Sequence, residues 1–222
     1  TNAKYYKVTF PEGDGQSQLG GVEIVYNHTS GESLLYKEPI TNLLITNGVL
    51  TDEMNNLLKM AEHSPNLGFE SSSAADYFGN DAKRLVRTAN TAESFVYHSA
   101  GDMNYFVMTS YARQNANEYR LPNFTFQTSP DGEHYTDVNN VVVDEVPGAG
   151  YWSRMVYTAY TLPMGTKYVK VIFPVIPNPA FANNFWTPQV GRIQIGVGSE
   201  TLEPPVHEKS AVIENFESYT GS

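Results

Sequence analysis

Cysteine is absent from this 222-residue chain, so disulfides and thiolate chemistry are excluded. Charged residues are scarce at 17%, and 24 acidic against 14 basic side chains give a formal net charge of −10. The densest basic stretch is KRLVR at residues 83–87, and no longer stripe of lysine and arginine occurs. Because a phosphate backbone is repelled by such a charge balance, we expect no nucleic-acid partner.

Long apolar runs and catalytic motifs are also missing. No segment reaches the roughly 18 consecutive apolar residues of a membrane-spanning helix, so we expect no membrane partner. The five histidines show no short metal-ligand spacing, and neither a Gly-x-Ser-x-Gly elbow nor a phosphate-binding loop is present. A glycosidase needs two paired carboxylates, and no spacing joins the candidates Asp102, Glu118, Asp144 and Glu145. The sequence therefore assigns no catalytic residue.

Aromatic residues are abundant in place of charges. The chain contains 15 tyrosines and 11 phenylalanines, and 41% of its residues are hydrophobic, which is enough apolar surface for a large core. Tyrosine and phenylalanine also favour strands over helices. With few charges, the surface must consist largely of Asn, Ser, Thr, Gln and Tyr, and such a surface suits neutral polar partners.

Strand-like alternation recurs through the second half of the chain. NFTFQTSPDGEHYTDV at residues 123–138 predicts a hairpin around a Pro-Asp-Gly turn. Many short strands separated by turns predict an all-β fold, an antiparallel β-sandwich of jelly-roll-like type. Val169, Val171 and Phe173 are expected to face its core, and Lys170 to face solvent. The other predicted strands are residues 93–98, 104–112, 139–146, 151–163, 166–174 and 192–197.

One segment carries a helical pattern instead. In residues 50–63, LTDEMNNLLKMAEH, five apolar side chains fall on one face of a helix, and Thr51 is a suitable N-cap. We therefore predict a short helix there.

A partial repeat suggests a modular chain. AKYYKVTFP at residues 3–11 matches TKYVKVIFP at residues 166–174 at six of nine positions, and LGGVEI and VGRIQI follow them in the same order. Homologous tandem modules explain this, although two amphipathic strands can also match by chance. The predicted boundaries are the end of a preceding module at 1–26, a linker at 27–48, the sandwich at 49–198, a Pro- and Glu-containing linker at 199–211, and the start of a following module at 212–222.

Several motifs within residues 49–197 resemble one family. They are TDE at residues 51–53, YFGxDxxRxxRTxxTAExxVY at 77–97, FxTSxDGxxY at 126–135 and WxPQxxRxQI at 186–195. This combination resembles the non-catalytic β-sandwich modules of secreted bacterial polysaccharide-degrading enzymes of the mannanase, cellulase or xanthan-degrading type. VIENFES at 212–218 resembles the opening of a further sandwich module. One departure is MNNLLKM at 54–60, where the family usually has an aromatic residue after the acidic pair.

The resemblance implies an extracellular parent enzyme and a structural metal ion. It implies an extracellular protein whose parent is a glycoside hydrolase or polysaccharide lyase, with neighbouring modules of the same chain as partners. Modules of this kind often hold a structural Ca²⁺ through carboxylate and backbone oxygens, and Asp52 and Glu53 are the candidate ligands. The alternative is that these two acids are simply solvated at the edge of the domain.

The candidate carbohydrate-binding residues fall in two places. The first contains Trp186, with Asn184 beside it, and Trp152, because an indole ring stacks on a pyranose while amides orient the hydroxyls. Equally, both rings can fill one end of the sandwich. The second place is SYARQNANEYR at residues 110–120, which can line a glycan groove or form a polar turn between strands. Its candidate residues are Tyr111, Arg113, Gln114, Tyr119 and Arg120.

The leading hypothesis is a non-catalytic carbohydrate-binding module that tethers its enzyme to a plant or microbial polysaccharide. The alternatives are a structural spacer that binds no sugar and a catalytic sandwich acting as a glycoside hydrolase or lyase. Exposure of the candidate aromatic residues is expected to separate the first two.

Overall fold

The computed structural model describes residues 26–27, 33–34, 45–46, 48–72, 75–113 and 120–205. The chain divides into two compact units, Thr1–Glu38 and Pro39–Ser222. In the first unit, the described residues form one antiparallel pair of strands, β1 (Tyr26–Asn27) and β2 (Ser33–Leu34). The first copy of the predicted repeat and the predicted opening at 212–222 lie outside the described residues.

The second unit is built almost entirely from antiparallel strands. Among the residues of this unit that the structure describes, two short helices accompany the strands, α1 (Ala75–Phe78) and a 3-10 helix (Pro179–Asn184). The strands are β3 (Ile45–Thr46), β4 (Val49–Asp52), β5 (Glu62–His63), β6 (Leu67–Ser71), β7 (Lys83–Arg87), β8 (Ser94–His98), β9 (Met103–Arg113), β10 (Thr125–Ser129), β11 (Thr136–Asp137), β12 (Val142–Pro147), β13 (Trp152–Ala159), β14 (Tyr168–Ile172) and β15 (Gln189–Val197).

These strands form a β-sandwich of two sheets. The five-stranded sheet has the order β11-β10-β14-β8-β5, and the eight-stranded sheet has the order β12-β13-β9-β15-β4-β3. Strand β7 completes the larger sheet by pairing with β15 at Val190, and β6 pairs with β7. The predicted all-β antiparallel sandwich is therefore confirmed.

Both sheets contribute their inner faces to a single apolar core. Phe106 and Met108 of β9 and Ile193 of β15 are fully buried there, as are Val169 and Val171 of β14. The rings of Phe106 and Phe126 come from opposite sheets and stack with their centroids 4.6 Å apart. Each fully buried side chain of this size stabilises the fold by about 1.5–3 kcal/mol, so the sandwich needs no disulfide.

A buried carboxylate joins the two sheets. Asp52 of β4 is fully buried, and its Oδ2 accepts a hydrogen bond of 2.8 Å from the hydroxyl of Tyr97, on β8 of the other sheet. Its Oδ1 accepts a 3.0 Å bond from the backbone N–H of Met54. Burial raises the pKa of Asp52, and burial together with the nearby carboxylate raises the pKa of Tyr97. Both polar groups are thus paired inside the core, as most buried polar groups are.

Two arginines of β7 are buried as well. Arg84 Nε donates to Gln189 Oε1 at 2.7 Å, and its guanidinium lies 3.7 Å from the centroid of the Phe78 ring. Arg87 donates from Nε to the Phe185 carbonyl at 3.1 Å and also to the Pro174 carbonyl. The Arg87 bonds tie the segment between β14 and β15, which contains the 3-10 helix, to the larger sheet, and the Arg84 bond joins β7 to β15.

A β-bulge interrupts β15. Its pairing with β9 shifts register between Val190 and Arg192, so Gly191 is an extra residue in the strand. Gln189 pairs with Tyr111, and Arg192 pairs with Thr109. The bulge therefore keeps Gln189 and Arg192 both on the outer face of the sheet, although they are three positions apart.

Most predicted strands are confirmed, and the predicted helix is wrong. The hairpin at 123–138 is present as β10 and β11, and Val169, Val171 and Phe173 are buried as predicted. Residues 50–63 instead contain the end of β4, a series of bends and strand β5. Met54 has a φ of 53°, which no right-handed helix contains, and the Asp52 side chain holds its N–H. Strands β6 and β7 were not predicted from the sequence.

Candidate functional site

Aromatic residues cluster against the outer face of the eight-stranded sheet. Phe78, Tyr111 and Trp152 are buried together, and the half-buried Trp186 packs against them. The ring centroids are 4.8 Å apart for Phe78 and Trp152, 5.4 Å for Phe78 and Tyr111, and 5.7 Å for Trp152 and Trp186. Phe78 comes from α1, so the cluster fixes this short helix on β9 and β13.

A cleft of about 530 Å³ opens beside this cluster on the same outer face. Its volume lies within the range of roughly 300–1,000 Å³ that is usual for small-ligand sites. The segment between α1 and β7 forms one wall, β9, β13 and β15 contribute side chains, and Tyr111 belongs to both the cluster and the cleft. The cleft is lined by Glu53, Asn55, Gly79, Asn80, Asp81, Ala82, Lys83, Thr109, Tyr111, Arg154, Gly191 and Arg192.

The bulge at Gly191 makes room for two polar side chains of the cleft. A Cβ atom on Gly191 would overlap Asp81 Oδ2 and would lie 2.8 Å from Tyr111 Cε2. Glycine is therefore the residue that allows the Asp81 carboxylate and the Tyr111 ring to approach the β15 backbone this closely. The bulge positions both groups at the base of the cleft.

Asp81 and Tyr111 keep hydrogen-bonding capacity toward the cleft. Asp81 Oδ1 accepts from the backbone N–H of Lys83 at 3.2 Å, whereas Asp81 Oδ2 has no hydrogen-bond partner among the described residues. Tyr111 is only 6% exposed, and within the described part of the chain its hydroxyl has no partner either. Burial raises the pKa of both groups. The Tyr111 ring is buried, but its hydroxyl and Asp81 Oδ2 can bond to a ligand in the cleft.

The cations of the cleft differ in their partners. Arg192 Nε lies 3.1 Å from Glu53 Oε1 in an ion pair, and Lys83 Nζ donates to the Asn55 carbonyl at 2.6 Å. Arg154, which pairs in register with Tyr111, has no hydrogen-bond or ion-pair partner among the described residues. Three cations against the acids Glu53 and Asp81 give the cleft a formal charge of +1 (3 − 2), whereas the whole chain carries −10.

The first group of predicted sugar-binding residues lies next to the cleft rather than in it. Trp152 is 8% exposed within the aromatic cluster, and Trp186 covers it from the segment that the buried arginines hold. Asn184 ends the 3-10 helix, where its carbonyl accepts a 3.0 Å bond from the Thr187 N–H. Trp152 thus packs in the cluster, while Trp186 and Asn184 retain partial exposure.

The described residues of the second predicted sugar-binding group lie in different places in the structure. Tyr111 is the one described member of this group that lines the cleft. Arg113 is exposed at the end of β9, opposite Trp152, and its backbone N–H donates to Thr187 Oγ1 at 2.9 Å. Arg120 is exposed and pairs with Glu145 on β12. Gln114 and Tyr119 lie outside the described residues.

The candidate calcium ligands face opposite sides of the larger sheet. Asp52 uses both carboxylate oxygens inside the core, and Glu53 pairs with Arg192 outside it. These two carboxylates therefore do not form one site. Within the described ranges, no group of three His, Asp or Glu side chains comes close enough to hold a metal ion. The calcium ion stays a prediction from the resemblance.

The sequence did not identify Asp81, Arg154 or Gly191 as site residues. One signal was present, because Asp81 occupies the fixed acidic position of the YFGxDxxR motif. The other two come from distant strands and carry no local pattern. They join Tyr111 only through the register of β13 and β15 with β9.

The helices of the described residues contain four and six residues, too few for either to span a bilayer. The chain matches no protein-family model, and no curated protein sequence matches it either.

Proposed function

We propose that this chain contains a non-catalytic carbohydrate-binding module of a secreted polysaccharide-degrading enzyme, and that the outer-face cleft holds the sugar. The observation that carries the proposal is the position of the Tyr111 hydroxyl, which meets the cleft beside Asp81 Oδ2 and Arg154. Among the described residues, none of these three groups has a hydrogen-bond or ion-pair partner.

The chemistry of these groups suits a saccharide. Sugar hydroxyls both donate and accept, so they pair with a carboxylate oxygen, a phenol hydroxyl and a guanidinium at once. The wall segment and the bulge hold Asp81 and Tyr111 in place before any ligand arrives, which lowers the entropy cost of binding. The half-exposed Trp186 adds a ring beside the cluster that can contact the next sugar along a polymer.

Binding alone explains a use for such a module. Tethering to a polymer raises the local concentration of substrate around a linked catalytic domain without any new chemistry. Polysaccharides of plant or microbial origin are the proposed partners, and an extracellular location follows from that role.

A second candidate function is a spacer that orients neighbouring modules and binds no sugar. The burial of Trp152 and Tyr111 favours it, because neither ring presents a stacking face to solvent. The two functions differ in whether the cleft has a ligand.

Affinity gel electrophoresis against a panel of soluble polysaccharides tests the proposal, using the whole chain and two glycine variants. Gly191→Ala places a methyl group on Asp81 and Tyr111, so we expect it to abolish retardation. Gly196→Ala is the matched control: it adds the same methyl group to the same strand, where it overlaps Tyr105 and not the cleft. Thermal unfolding of both variants checks that each is folded.

Retardation of the wild type and of Gly196→Ala, but not of Gly191→Ala, supports sugar binding in the cleft. If Gly191→Ala is still retarded, the sugar binds at a site other than the cleft. If no polysaccharide retards the wild type, carbohydrate binding is overturned and the spacer remains.

A further inference from the structure

We infer that the cleft selects a carboxylated sugar, a uronic acid residue, whose carboxylate pairs with Arg154 and the Tyr111 hydroxyl. This inference rests on the proposed carbohydrate binding and names the class of sugar.

Arg154 is the cation of the cleft that is open to a ligand. The charge of Arg192 is already matched by Glu53, and the ammonium of Lys83 is held by a backbone carbonyl and lies 4.6 Å from the centroid of the Phe69 ring. Arg154 projects from the outer face of β13 with no partner among the described residues. A planar guanidinium in this state offers two parallel N–H donors, the geometry that a carboxylate accepts.

Tyr111 supplies a second donor to the same anion. Because Arg154 and Tyr111 pair directly across β13 and β9, their side chains leave the sheet on the same face. Residues directly opposite each other on one face of an antiparallel pair have Cβ atoms about 4.5–5.5 Å apart. The Arg154 guanidinium and the Tyr111 hydroxyl can therefore both reach one carboxylate.

Asp81 fixes the orientation of the sugar. Its carboxylate repels an anion and accepts from hydroxyls, so the ring hydroxyls face Asp81 while the carboxylate faces Arg154. The Asp81 side of the cleft thus favours hydroxyl groups and the Arg154 side favours an anion. This combination suits a ligand with one carboxylate and several hydroxyl groups.

The charge of the whole chain makes non-specific attraction a poor explanation for uronate binding. A net charge of −10 repels a polyanion at long range. Affinity for an acidic polysaccharide must then come from a local contact of defined geometry, and the substitution of one side chain can abolish that contact.

The test compares acidic polysaccharides with their own carboxyl-reduced forms. Wild type, Arg154→Ala, Arg154→Lys and Lys170→Ala are run in gels that contain polygalacturonate, alginate or xanthan, each native and carboxyl-reduced, and in gels with neutral galactomannan and β-glucan. Lys170→Ala is the matched control, since it removes one positive charge from the outer face of the other sheet, where Lys170 lies over Tyr135. Thermal unfolding confirms that each variant is folded.

We expect the wild type to bind the native form of at least one acidic polymer about tenfold more tightly than its reduced form, the effect of one charge-assisted contact. Arg154→Ala should bind both forms equally, Arg154→Lys should retain part of the difference, and Lys170→Ala should retain all of it.

The inference is overturned if the wild type binds native and reduced polymers equally, or if only neutral polysaccharides retard it. Either result leaves the proposed carbohydrate binding intact. Discrimination that persists in Arg154→Ala also overturns the inference. If no gel of either kind retards the wild type, the proposed function itself fails.

Discussion

An aspartate and a tyrosine meet on each side of the eight-stranded sheet, and the two pairs differ in how their hydrogen bonds are satisfied. On the inner side, Asp52 and Tyr97 bond to each other at 2.8 Å and join the two sheets. On the outer side, Asp81 and Tyr111 approach the same glycine, yet Asp81 Oδ2 and the Tyr111 hydroxyl have no partner among the described residues. The inner pair is complete without a ligand, whereas the outer pair is not.

This difference separates a stabilising role from a binding role. Removing one member of a satisfied buried pair leaves the other without its bond and costs stability. Removing an unpartnered hydroxyl costs the fold little, and its loss is felt only by whatever binds there. Equivalent tyrosine-to-phenylalanine changes on the two sides should therefore affect different measurements.

The largest effect is expected from Tyr97→Phe. The change leaves the buried Asp52 carboxylate without its hydroxyl donor, which should lower the free energy of unfolding by about 1–3 kcal/mol. Urea denaturation at neutral pH measures it. A loss below about 0.5 kcal/mol, the range of ordinary surface substitutions, would show that this bond does not stabilise the sandwich.

A smaller effect should appear as a pH dependence that Asp52→Asn removes. Because burial raises the pKa of Asp52 above its ordinary 3.8, the folded state keeps the proton to a higher pH than the unfolded chain. The resulting stabilisation is complete below pH 3.8 and is lost as the pH rises through the folded pKa. The stability of Asp52→Asn relative to wild type should thus increase as the pH is raised from about 4.

Denaturation curves at several pH values measure this difference. The comparison cancels Asp131, whose pKa hydrogen bonds from His134 hold below its ordinary range, because that group is present in both proteins. A relative stability that falls as the pH rises would contradict the assignment of a raised pKa to Asp52.

The smallest effect on the fold is expected from Tyr111→Phe. The free energy of unfolding should stay within about 0.5 kcal/mol of wild type, since the hydroxyl has no hydrogen bond to any residue that the structure describes. Binding of a retained neutral polysaccharide should weaken about fivefold, the equivalent of one neutral hydrogen bond near 1 kcal/mol, and binding of a uronate should weaken more, because a hydrogen bond to a charged group is stronger. Denaturation and affinity electrophoresis of the same preparation measure both. A large loss of stability with unchanged binding would make Tyr111 a core residue like Tyr97.

The sequence predicts the strands in which apolar and polar side chains alternate. It misses segments whose buried side chains are charged or come from irregular backbone. Alternation is clear in β14 because every second side chain enters the core. In β7 the buried positions include Arg84 and Arg87, so the pattern resembles a solvated basic stretch. The helical spacing of residues 50–63 arises because Leu50, in β4, and Met54, in the bend after it, enter the core from different local structures.

Little of the candidate site is visible in the sequence, since it depends on strand register. Tyr111 was identified from its polar surroundings, but its neighbours Arg154 and Gly191 are more than 40 positions away. The quoted motifs largely mark internal structure. Arg84 and Gln189, from two of them, bond to each other, as do Asp52 and Tyr97. The motifs therefore predict the sandwich better than its ligand.

The extra residue in β15 has a consequence for comparing this chain with others. The bulge places both Gln189 and Arg192 on the outer face. If Gly191 were deleted, β15 would alternate regularly, and all of its remaining side chains would stay on the faces they occupy now. Such a protein would keep the sandwich and lose the niche for Asp81 and Tyr111. A one-residue gap in an alignment at this point is thus enough to separate homologues that share the architecture from those that share the binding property.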